Sequence, residues 1–65
     1  MKSKFFVEVL YEDDSEFNFN VELESSENQT HAVLSMITRG TLLASSACKA
    51  TAYNEDGFIV CSYVR

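Results

Sequence analysis

Basic residues are scarce in this chain. Five Lys and Arg face ten Asp and Glu over 65 residues, a net charge of −5. That argues against a nucleic-acid binder working through a basic surface, and against docking on an anionic membrane. Proline and tryptophan are absent, and glycine and cysteine occur twice each. There is no Gly-rich phosphate loop and no Gly-x-Ser-x-Gly nucleophile turn. No apolar run approaches the ~18–20 residues of a membrane span. The opening Met1-Lys2-Ser3-Lys4 leads into an apolar stretch that Glu8 interrupts, which does not read as a secretory signal. A cytoplasmic protein is therefore expected.

What is present is ordinary globular composition, 46% hydrophobic and 23% charged, enough for one small α+β domain over 1–65. The charge is uneven. Residues 1–30 hold Glu8, Glu12, Asp13, Asp14, Glu16, Glu22, Glu24 and Glu27 against Lys2 and Lys4, a balance of −6. Residues 31–65 hold Glu55 and Asp56 against Arg39, Lys49 and Arg65, a balance of +1. One end of the molecule should carry a strong negative field.

Two stretches alternate in the manner of half-buried strands. Between Lys4 and Glu12, residues Phe5, Val7, Val9 and Tyr11 share a face, with Phe6, Glu8 and Leu10 opposite. Between Glu16 and Glu24, residues Phe17, Phe19, Val21 and Leu23 share a face, with acids and asparagines opposite. A short loop at 13–15 would pair Tyr11 with Phe17 and Phe5 with Leu23, placing all eight apolar residues together.

Ser26 and Gln29 have capping-box spacing, so a helix should begin there, with Glu27 in its first turn. At about 100° per residue, Val33, Met36, Ile37, Gly40, Leu43, Ala44 and Ala47 form a core-width stripe, with Leu42 and Thr38 on the polar side. Gly40 allows two readings: a helix to about Ser46 that packs closely at the glycine, or an end at Arg39 with Gly40 as cap. Continuity of the stripe favours the longer helix. A second hairpin flanks Asn54-Glu55-Asp56-Gly57, which fits a type I turn closed by a left-handed residue. A four-residue loop would put Ile59, Cys61 and Tyr63 inward beside Ala50 and Ala52; a three-residue loop would regroup the faces. The order is ββαββ, a two-layer α+β fold with one helix on one face of a four-stranded antiparallel sheet.

Candidate chemistry is sparse. His31 has no nucleophile or orienting group beside it in sequence and reads as a surface residue. Cys48 and Cys61, on opposite arms of the last hairpin, read as reduced and largely buried thiols. One histidine and two cysteines without a Cys-x-x-Cys pair do not make a zinc site. The acidic loop 12–16 lacks the glycine and distal glutamate of a helix-loop-helix calcium site. No cofactor, metal or catalytic activity is expected.

One helix covers one sheet face, so the other face is the candidate surface. It should present Phe6, Glu8 and Leu10 from the first strand and Glu22 from the second. The acids Glu12, Asp13, Asp14 and Glu16 of the first turn adjoin it. These residues suggest a protein-binding module, such as an inhibitor or accessory factor, directed to a basic patch on a partner. A homodimer and a nucleic-acid mimic are the alternatives. Direct binding of single strands on Phe6, Tyr53 and Phe58 ranks last, because a basic track is missing. Stand-alone chains of this size and charge often belong to phages and other mobile elements.

Overall fold

The computed structural model describes residues 2–24 and 27–65. Its elements are β1 (Ser3–Tyr11), β2 (Glu16–Leu23), α1 (Glu27–Ala44), β3 (Ala47–Tyr53) and β4 (Ile59–Val64). The four strands form one antiparallel sheet in the order β2-β1-β3-β4. The ββαββ α+β architecture read from the pattern is the one found. The expected cap at Ser26 lies outside the described residues.

The first hairpin keeps its expected faces but not its expected register. Val9 pairs with Phe17 and Val7 with Phe19, two residues away from the expected pairing. The cause is the turn. Asp14 donates its amide to the Tyr11 carbonyl at 3.1 Å, and Tyr11 donates to the Ser15 carbonyl at 2.9 Å. The three-residue loop is therefore 12–14, and Asp14 takes the left-handed conformation with φ 66°. Aspartate tolerates that region better than most residues because its short side chain is polar. Asp13 locks the turn by accepting hydrogen bonds from the Ser15 hydroxyl and, at 3.0 Å, from the Ser15 amide.

The second hairpin repeats the device with Gly57 at φ 86°. Gly57 donates to the Asn54 carbonyl at 3.0 Å, and the Asn54 side-chain oxygen accepts from Asp56 and Phe58 at 3.0 Å each. The loop thus has three residues, 55–57. A bulge then intervenes: Tyr53 pairs with Ile59, but Ala52 pairs with Cys61 and Ala50 with Tyr63. The extra residue is Val60, which packs against the core, while Ile59 is 63% exposed on the other face. Of the two loop lengths the sequence left open, the three-residue one turns Ile59 outward and Val60 inward, and the bulge then returns Cys61 and Tyr63 to the core side.

The helix runs through Gly40 to Ala44, as the longer reading required. It is nevertheless rotated from the expected stripe. Leu34, Thr38 and Leu42 are buried, whereas Met36 is 74% and Leu43 64% exposed. The apolar stripe does not face the sheet, and Leu42, expected on the polar side, is core. Three polar residues on or beside the buried face are satisfied locally, whereas the buried Ser35 hydroxyl has no partner among the described residues. Thr38 donates to the Leu34 carbonyl at 2.7 Å, Thr41 to Ile37 at 2.8 Å and Ser45 to Thr41 at 2.8 Å. Beneath it, Ala47, Ala50 and Ala52 leave room for the helix, and the core closes with Phe5, Val7 and Val9.

Gly40 is exposed, and a Cβ there would meet nothing within 4 Å. The expected close approach to the sheet at Gly40 is therefore absent. Gly40→Ala should stabilise the domain by about 1 kcal/mol, read as a rise in the urea midpoint at unchanged slope.

The helix C-terminus is capped from β4. The Arg65 guanidinium donates to the carbonyls of Leu42 at 2.8 Å, Ser45 at 2.9 Å and Leu43 at 3.3 Å. A cation at that end also opposes the helix dipole. Arg65→Ala should cost about 1 kcal/mol, and hydrogen exchange should then accelerate first in the last helical turn.

Candidate functional site

The face of the sheet away from the helix is assembled by cross-strand rows. Phe6 lies between Asn20 on β2 and Tyr53 on β3, and Tyr53 in turn faces Ile59. Glu8 lies between Asn18 and Thr51, whose hydroxyl is 3.1 Å from that of Ser62. Leu10 lies between Glu16 and Lys49, and Lys49 faces Val64. Lys4 pairs with Glu22. The structure thus brings Phe6, Glu8, Leu10, Glu16 and Glu22 onto one face, as the alternation implied. Phe6, Glu16 and Glu22 are exposed, and Glu8 and Leu10 half-buried.

Glu12, Asp13 and Asp14 occupy the β1–β2 turn, all exposed, beside Leu10 and Glu16. The Ser15 hydroxyl, and after it the Ser15 amide, hold the Asp13 carboxyl below the ordinary aspartate value. Asp13 therefore stays charged to lower pH than a free aspartate. Its contribution to the turn is present above the ordinary value and is lost as pH falls through the lowered one.

Several participants were not assigned to this surface from sequence. Lys4 and Lys49 sit among the carboxylates, Ile59 and Val64 extend the apolar part, and Tyr53, read from sequence only as a stacking aromatic, joins Phe6 there. Only the strand order, which joins β1 to β3, puts Lys49, Thr51 and Tyr53 beside Leu10, Glu8 and Phe6. The two lysines interrupt the row of acids, so negative charge is densest at the turn, in Glu12, Asp13, Asp14 and Glu16.

The remaining candidates are dispersed. His31 is exposed on the helix. Cys48 and Cys61 are free and only half-buried, a correction to the expectation of largely buried thiols; the Cys61 Sγ lies 3.8 Å from the Thr38 hydroxyl. Among the described residues, no group of three or more His, Cys, Asp or Glu is arranged to hold a metal ion. Two shallow depressions lie at the ends of the sheet. One is lined by Tyr11, Glu12, Asp13, Ser15 and Ser46; the other runs from Lys4 to Glu55. Among the described residues, no helix is long and apolar enough to cross a membrane.

Comparison with known proteins finds no match: no family model, no curated protein and no solved structure resembles this chain.

Proposed function

We propose that this protein is a small, acidic, non-enzymatic binding module, an inhibitor or accessory factor that occupies a basic patch on a partner protein. The observation that carries the reading is Leu10 flanked by Glu8 and Glu16 and continued by Glu12, Asp13 and Asp14 at a tightly hydrogen-bonded turn. Apolar side chains rimmed by charge are the usual make-up of a protein-recognition surface. A rigid hairpin presents this one with little ordering cost. The protein reading stands ahead of a nucleic-acid mimic because Lys4 and Lys49 break the carboxylate rows.

The test is affinity capture from lysate of the source cell or its host, read by mass spectrometry. The baits are the wild-type chain, Glu8/Glu12/Glu16→Lys and Leu10→Lys. A single abundant partner, lost with both variants while their circular dichroism is unchanged, is the expected result. Equal capture by all three baits, or by none, contradicts the reading. Loss of fold in Leu10→Lys would mean that Leu10 is structural core.

A further inference from the structure

The helix side of the molecule presents a second surface with opposite properties. Thr38 reaches Cys61 on β4, so the flank bearing Thr38 and the buried Leu42 lies over β4. The helix packs mainly on β3 and β4 and less on β1. At about 100° per residue, Val33, Ile37 and Gly40 then lie on the flank turned across β1 toward β2, and Met36 and Leu43 point directly outward. On β2, Phe17 is 55% exposed, and Phe19, Val21 and Leu23 are only half-buried. The result is an apolar ridge beside a shallow apolar trough.

This side carries almost no charge. From Asn28 to Cys48 the sequence contains no acid, and Arg39 is its one Lys or Arg. The acids of β2, Glu16 and Glu22, alternate to the opposite face. An exposed helix on a monomer normally turns a charged face to water; this one turns Met36 and Leu43. The molecule is also thin, 37 × 19 × 14 Å, with 4520 Å² of accessible surface. A compact monomer of this mass would expose about 4,200 Å².

We infer that this side binds a second copy of the chain, each helix ridge lying in the trough over β2 of the other about a twofold axis. Self-complementarity follows because ridge and trough lie side by side on one copy. Charge selects the occupant. Two chains of −5 each repel through their sheet faces and turns but meet here without opposing carboxylates. The surface is also apolar where an interface core must be: Phe17 is 55%, Val33 39%, Met36 74% and Leu43 64% exposed on each copy. Gly40, where an added Cβ would meet nothing within 4 Å, lies on this surface.

Sedimentation velocity over a concentration series tests the inference. Wild type should move from the 7.3 kDa monomer to twice that mass as concentration rises. Met36→Glu/Leu43→Glu should remain monomeric with unchanged circular dichroism, while Leu10→Lys should still dimerise. Should the double variant fail to fold, dilution of wild type followed by NMR needs no substitution: shifts should concentrate on Met36, Leu43, Phe17 and Phe19. A wild type that stays monomeric, a dimer that persists in the double variant, or shifts centred on Phe6 and Leu10 would overturn it.

Discussion

Leu34→Ala should cost about 3–5 kcal/mol, while Leu43→Ala should change stability by less than about 0.5 kcal/mol. The two leucines lie on the same helix, and sequence patterning favours Leu43 as the core residue. Leu34 is fully buried over the sheet, and Leu43 is 64% exposed. A chain of this length has only about 3–10 kcal/mol of total stability, so Leu34→Ala should leave a substantial unfolded fraction at 25 °C. Urea titration followed by circular dichroism measures both, at concentrations low enough for the monomer to dominate, because dimerisation would add apparent stability to wild type. The reverse order of effects would mean that the helix presents the Met36 and Leu43 stripe to the sheet.

Charge reversal should have the largest effect on binding. Each Glu→Lys replacement adds two units, so Glu8/Glu12/Glu16→Lys takes the chain from −5 to +1. Association with a basic partner at low salt should slow by about 10- to 1,000-fold. The difference between variant and wild type should shrink near 1 M salt, where the screening length falls to about 3 Å. The fold should survive, since Glu12 and Glu16 are exposed, Glu8 is half-buried, and Asp13 and Ser15 still close the turn. A slowdown that persists unchanged at high salt would point to a lost contact rather than lost steering.

The sequence reveals the strands better than it reveals the helix, for physical reasons. The period of β2 is strict, so any register that buries its glutamates is excluded, and the faces follow even though the pairing slipped by two residues. The slip came from Asp14, which holds a left-handed turn position usually signalled by glycine. At Gly57 the glycine was present and the turn type was legible, but the loop length, and with it the facing of β4, was not. On the helix, hydropathy counts Thr38, Thr41 and Ser45 as polar. Their hydroxyls bond to carbonyls one turn back, so they can be buried without loss, and Leu34 with Leu42 then competes successfully against Met36 with Leu43. The bulge at Val60 leaves no local mark, and neither does the β1–β3 pairing that brings Lys49 and Tyr53 to the candidate site. Those follow from tertiary closure rather than local pattern.

The account's central claim is that two faces divide the work: an acidic, apolar-centred sheet face for a partner and a helix side free of acids, with Arg39 its one Lys or Arg, for a second copy. Parallel capture with three baits tests it most directly: wild type, Glu8/Glu12/Glu16→Lys and Met36→Glu/Leu43→Glu. The account predicts that the same partner is held by wild type and by the helix-side variant and is lost from the sheet-face variant. Loss with the helix-side variant and retention by the sheet-face variant would contradict it, placing partner recognition on the helix.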